Sequence, residues 1–196
     1  MKKFLFILSI AFALSVVVTS CSKKDPCEDI ICQNGGTCEN GDCKCPVGYE
    51  GNLCQTESLP KAVNVTAIKI LKIPATQKDG KPWDSDGTQP DIYPSLFTLK
   101  ADNSTDVRLW SSQLTKINAD VSKQHDFNII LPALSLTDMN QTYGMFLHDS
   151  DDGNVYTSMG GIAFVLKNFV QGRPSTIKLD CSTCTIAFEL TVNYEF

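Results

Sequence analysis

Cysteine and aspartate are the two residue types in this chain whose spacing could do chemistry. The nine cysteines fall into three groups. Cys21 stands alone behind an apolar leader, Cys27, Cys32, Cys38, Cys43, Cys45 and Cys54 form a tight cluster, and Cys181 and Cys184 sit near the end. None is left over, which points to an oxidising, exported setting. Seven of the sixteen aspartates gather in two stretches, one running from Asp79 through Asp84 and Asp86 to Asp91, the other from His148 through Asp149, Asp151 and Asp152 to Gly161. Calcium takes about six to eight oxygens, largely carboxylate, and loops at one end of a sandwich can bring two such groups together. Asp-Gly and Asp-Ser runs are equally the material of solvated turns. Both readings stand on the sequence.

Catalytic chemistry has little to rest on, and no catalytic residue is assigned. The two histidines, His125 and His148, lie outside G-x-S-x-G, H-E-x-x-H and similar frames. Trp83 and Trp110, as single aromatics, read as packing residues. A redox role for Cys181-Ser182-Thr183-Cys184 would need a following helix to lower a thiol pKa. The motif instead runs into an alternating apolar stretch, so a structural disulfide across a turn is expected. The chain reads as a non-enzyme.

Lys2 and Lys3 precede an apolar run from Phe4 to Val18, the pattern of an export signal in residues 1–20. The run is shorter than the ~20 residues a membrane span needs. Val18-Thr19-Ser20-Cys21 resembles the lipobox of bacterial lipoproteins. The resemblance implies that the leader is cut before Cys21 and that this thiol is lipidated, with palmitate-type acyl chains holding the protein to the cell envelope. An outer-membrane location is expected, with the periplasmic or surface face left open. An ordinary secretory signal with an incidental cysteine is the alternative. Residues 21–26 then form a short tether.

Residues 27–54 are too few to bury a useful core, and chains below ~40 residues usually need disulfides, metals or partners. The spacing is C-x4-C-x5-C-x4-C-x-C-x8-C, and six cysteines allow 15 connectivities. With Gln33-Asn34-Gly35-Gly36-Thr37-Cys38 and Cys45-Pro46-Val47-Gly48-Tyr49-Glu50-Gly51, the segment closely resembles an EGF-like domain. That resemblance implies the pairs Cys27 with Cys38, Cys32 with Cys43, and Cys45 with Cys54. Pro26 separates Asp25 from Cys27 and no acidic residue directly precedes that cysteine, so calcium is not expected in this module.

Residues 60–196 are long enough for one hydrophobic core. Alternation predicts strands over Val63–Ile73, Ile92–Lys100, Val107–Trp110, Asp126–Leu131, Thr142–His148, Gly161–Leu166, Thr176–Leu179 and Thr185–Phe196. The last carries Ile186, Phe188, Leu190, Val192, Tyr194 and Phe196 on one face, as a core strand should. The first slips phase between Ala67 and Ile68 and between Ile70 and Leu71, which a bulge would explain. The fold class is therefore all-β, the EGF-like module followed by an antiparallel β-sandwich of about eight strands.

The sandwich resembles the C2 domain, whose calcium sites are built from aspartates in loops at one end. Pro90-Asp91-Ile92-Tyr93 is similar to the segment opening a strand after the first calcium loop, and Asp149-x-Asp151 followed by Met159-Gly160 to the third loop. The resemblance implies calcium held by Asp84, Asp86, Asp91, Asp149 and Asp151, with Asp152 as a substitute. Where the family carries another aspartate this chain has Thr157, which removes one charged ligand.

Two of the 17 basic residues lie in the leader, leaving 15 against 22 acidic ones and a mature charge of about −7. Such a surface repels nucleic acid. Its expected partners are the membrane, through the anchor, and a protein, glycan or anionic-lipid ligand. The function read from the sequence is that of an envelope lipoprotein acting in binding or adhesion, assisted by calcium. The rival is a metal-free structural or assembly component of an envelope complex; an enzyme of unknown reaction is a more distant one.

Overall fold

Covalent cross-links take the place of a core in the small module. The computed structural model describes residues 24–129, 134–151 and 155–196, so the leader, Cys21 and Asp152 lie outside the described residues. Strands β1 (Thr37–Glu39) and β2 (Asp42–Lys44) form a hairpin closed by Asn40-Gly41, both at positive φ, as a two-residue turn of this type demands. Strands β3 (Tyr49–Glu50) and β4 (Thr56–Glu57) make a second short pair. The disulfides are Cys27–Cys38, Cys32–Cys43 and Cys45–Cys54, the pairing the EGF resemblance implies.

The rest is an antiparallel sandwich. Its strands are β5 (Ala62–Lys72), β6 (Ile92–Leu99), β7 (Thr105–Ser111), β8 (His125–Asn128), β9 (Leu134–Leu136), β10 (Thr142–Asp151), β11 (Val155–Val165), β12 (Thr176–Leu179) and β13 (Ala187–Glu195). One sheet runs β11-β10-β6-β7. The other runs β12-β13-β5-β8, with β9 pairing the first part of β5 and β8 the second. Inward residues of the two sheets meet in a single core. Val63, Val65, Ile68 and Ile70 of β5 and Phe188, Leu190 and Val192 of β13 face Ile92 and Leu96 of β6 and Tyr143, Met145 and Leu147 of β10.

The first strand carries two bulges, the second where the phase slips after Ile70 and the first at Thr66, just before the slip expected between Ala67 and Ile68. Between Thr191↔Ala67 and Val192↔Val65, Thr66 is left unpaired, and between Ala187↔Lys72 and Phe188↔Ile70, Leu71 is. Each bulge resets which residues point inward. The final strand is central, flanked by β12 and β5, and Cys181–Cys184 closes the turn before it.

Three expectations are corrected. Leu134–Leu136 is a short strand, too brief for its alternation to announce it. Leu166 starts a 3-10 turn, Leu166–Asn168, and does not end a strand. The second acidic stretch is mainly a hairpin and not a long loop, because β10 continues through Asp151 and β11 begins at Val155. Asp149-Ser150-Asp151 has the composition of a turn, yet none of the three is exposed in the hairpin.

Strands β5, β10 and β13 give the sandwich two distinct ends. The EGF-like module sits where β5 begins and β13 finishes. There the Arg173 guanidinium lies 4.3 Å from the Tyr49 ring centroid and 4.6 Å from that of Phe196, and it donates to the Gly48 carbonyl. Gly48 has φ of 89°, and a Cβ there would fall on the guanidinium, so both conformation and contact require glycine. The Gly172 N–H donates to Glu57 Oε2 at 2.9 Å, and the Lys61 N–H to the Glu195 carbonyl at 2.7 Å. The acidic residues lie at the far end, where β5 and β10 finish and β6 begins.

Two cation–π contacts and a charge-assisted hydrogen bond predict that Arg173→Ala lowers the unfolding free energy of residues 24–196 by about 2 kcal/mol. The drop is read from the urea midpoint, with Arg173→Lys recovering little because it lacks the planar stack. An unchanged midpoint for Arg173→Ala would show the two modules to be uncoupled.

Candidate metal centre at the acidic end

The pleat of β10 builds the centre. Tyr143, Met145 and Leu147 point into the core, and Asp149, next in the same row, points inward too and is fully buried. Asp151, two residues on, reaches the mouth of the sandwich. Asp84 arrives from the β5–β6 connection, which is pinned by Trp83: its ring is in the core and its indole N–H donates to the Pro74 carbonyl at 2.8 Å. Gln77 Nε2 ties the same loop to the Pro82 carbonyl at 3.0 Å. The two tryptophans thus pack as expected, Trp83 within the core and Trp110 against it.

One carboxylate oxygen from each of Asp84, Asp149 and Asp151 lies within 4.8 Å of the others. Asp149 Oδ1 accepts the Asp91 N–H at 2.8 Å, whereas Asp149 Oδ2 is buried with no hydrogen-bond partner among the described residues. Burial, and then repulsion from Asp84, Asp151 and Asp91, raises the Asp149 carboxyl to about 6. Asp84 is raised as well, by burial and by Asp91, Asp86 and Asp151, against a lowering hydrogen bond from Thr88. An orphaned, buried carboxylate oxygen facing two further carboxylates fits a hard cation, which would supply the missing partner and cancel the repulsion.

The five aspartates singled out in the sequence therefore divide. Asp84, Asp149 and Asp151 converge. Asp91 lines the same depression, but its Oδ1 accepts the Asn118 N–H at 2.7 Å. Asp86 is turned to its own loop, with Oδ1 accepting the Thr88 N–H at 2.9 Å and lying 2.7 Å from the Thr88 hydroxyl, bonds that lower its pKa. Thr157 pairs with Asp149 across the hairpin and donates to Asp151 Oδ2 at 3.2 Å, so a neutral oxygen stands beside the cluster. Asp86 nonetheless lines the same depression, together with Ser85, Thr88, Asn118 and Ser150. Nothing in the spacing of Asn118, which returns on the connection after β7, could have announced it.

On the opposite face of β10, His148 is buried with its Nε2 2.6 Å from Ser95 Oγ and its Nδ1 without a partner among the described residues. The rings of Tyr93 and Tyr156 sit 5.1 and 5.2 Å from it. Burial, with Arg108 nearby, lowers the imidazole to about 4.

Residues 24–54 match the family model of the EGF-like domain. No curated protein matches the sequence. Among solved structures the chain is similar to BON1-C2B, at 9% identity over 68% of this chain and 89% of that one, with a TM-score of 0.40. It is similar to a C2 domain of plant extended synaptotagmin 1, at 13% identity over 71% and 99%, with a TM-score of 0.34. It is also similar to a C2 domain of RIM from Drosophila, at 12% identity over 65% and 98%, with a TM-score of 0.28.

The two neighbouring groups titrate in opposite senses. A carboxyl raised from 3.8 to about 6 stabilises the folded state at low pH and loses that contribution as pH rises through this window. An imidazole lowered from 6.5 to about 4 costs stability as pH falls from 6.5 towards 4. Between about pH 4 and 6 they oppose each other. In metal-free buffer Asp149→Asn is expected to steepen the acid loss of stability, and His148→Asn to reverse its sign, both read from denaturation midpoints across pH. Parallel profiles for the two variants would refute the assignment.

Proposed function

We propose that this chain is a lipid-anchored binding or adhesion module of the bacterial cell envelope, whose sandwich takes up calcium at its acidic end. The observation that carries the reading is Asp149 Oδ2, buried and unpartnered beside the Asp84 and Asp151 carboxylates. Calcium suits the site better than magnesium. The donors are carboxylate oxygens on an irregular rim, and the open depression leaves room for the waters or ligand oxygens that complete a large coordination shell. The anchor rests on Cys21 behind its leader, and the binding role on the pairing of an EGF-like module with a sandwich that displays loops at its free end.

On a mature chain of about −7, a bound cation changes what the acidic end can hold. Without it, three carboxylates repel any anion. With it, the same mouth offers a positive pole with open coordination positions to a phosphate or carboxylate of a lipid, glycan or protein partner. Binding and not turnover is the role this arrangement serves.

Calcium titrated into metal-stripped residues 24–196 is expected to bind saturably and raise the melting temperature, adding about 2.7 kcal/mol at a concentration 100 times the dissociation constant. Asp149→Asn combined with Asp151→Asn is expected to remove both signals. Absence of heat and of a thermal shift at millimolar calcium would rule out the metal reading. For the anchor, Cys21→Ala in the full chain is expected to move the protein from the membrane to the soluble fraction of expressing bacteria, and persistence in the membrane would refute lipidation at Cys21.

A further inference from the structure

At the junction between the two modules lies an open cleft of about 600 Å³, at the end of the sandwich opposite the aspartates. That volume lies within the ~300–1,000 Å³ of small-molecule sites, which favour junctions between domains. Both modules line it: Asn34, Tyr49, Gln55 and Glu57 from the EGF-like side, Lys167 and Gln171 from the sandwich.

Four of these side chains are each held at one atom and open at another. Asn34 Nδ2 donates to the Cys54 carbonyl at 2.8 Å, leaving Oδ1. Gln55 Oε1 accepts the Leu53 N–H at 2.9 Å, leaving both Nε2 hydrogens. Glu57 Oε2 accepts the Gly172 N–H at 2.9 Å, leaving Oε1. Lys167 Nζ donates to Asn140 Oδ1 at 2.9 Å, leaving two N–H groups. A cleft whose polar atoms are already fixed loses little conformational freedom when a ligand arrives. Tyr49 adds a ring whose position the Arg173 guanidinium sets.

The open atoms mix acceptors, Asn34 Oδ1 and Glu57 Oε1, with donors, Gln55 Nε2 and Lys167 Nζ, and the single acid and single base leave no net charge. An anion would face the two acceptors, and an apolar ligand would strand all four polar groups, each at a desolvation cost. Adjacent hydroxyls that both donate and accept satisfy such a lining. We propose that the junction cleft binds a short stretch of neutral oligosaccharide. This adds a second site to the binding role above and does not depend on calcium at the first.

Residues 24–196 in EDTA, applied to an array of neutral oligosaccharides built from glucose, mannose, galactose, xylose and N-acetylglucosamine, are expected to be retained on at least one series. Titration of the retained sugar would then compare Gln171→Ala and Glu57→Gln with the parent. Gln171 is exposed and makes no hydrogen bond among the described residues, so its removal leaves the fold intact. Each variant is expected to weaken binding about tenfold, as loss of one or two ligand hydrogen bonds does, at an unchanged melting temperature. No retention on any series, retention only when calcium replaces EDTA, or affinities unmoved by both substitutions would each overturn the proposal.

Discussion

The alternation of β10 is the constraint on which the acidic end depends. A strand turns successive side chains to opposite faces, so the row Tyr143, Met145, Leu147 commits the next inward position to the interior whatever residue occupies it. That residue is Asp149. Leu147 and its neighbours hold the strand in register through the core, and the register carries a carboxylate into a place where it cannot be solvated. The same parity sends His148 outward under a layer of aromatic rings. Two buried ionisable groups of opposite titration sense thus follow from one pleat, back to back on adjacent residues.

Placing like charges together costs free energy that packing elsewhere must offset. Trp83 supplies part of the compensation: its buried ring and indole hydrogen bond fix the approach of Asp84. Asp91 supplies another part, because its backbone N–H satisfies Asp149 Oδ1 while its own side chain is satisfied by Asn118. What these bonds leave over is one oxygen, Asp149 Oδ2. The site is thus rigid before anything enters it, and the repulsion that remains is the part a cation would remove.

Legibility in the sequence followed the strength of the local signal. The EGF-like pairing was readable only through the family resemblance that the cysteine spacing and glycine positions carry, since spacing alone leaves 15 connectivities open. The outer strands of the sandwich were readable where alternation was clean, as over Thr176–Leu179, and even the irregular first strand announced its two bulges through slipped phase. The hairpin around Asp149 was not, since a strand that ends in Asp149-Ser150-Asp151 has the composition of a turn and only the partner strand shows otherwise. The convergence of Asp84 on Asp149 across sequence is a tertiary fact. So is Arg173, a single arginine between Gly172 and Pro174 that no pattern marked as the clasp between modules.

The placement of the modules also has a mechanical meaning. The chain enters the sandwich at Ala62 beside the clasp and leaves β5 at Lys72 beside the acidic end, about 33 Å away for a strand of 11 residues. A load between the two ends therefore runs along β5, which pairs with β13 over its whole length on one side and with β8 and β9 on the other. Antiparallel hydrogen bonds lie perpendicular to that direction, so they are sheared together and not peeled one at a time. The strand that links the clasp to the acidic end is thereby the tension member of the protein, placed to carry a pull along its length without unzipping.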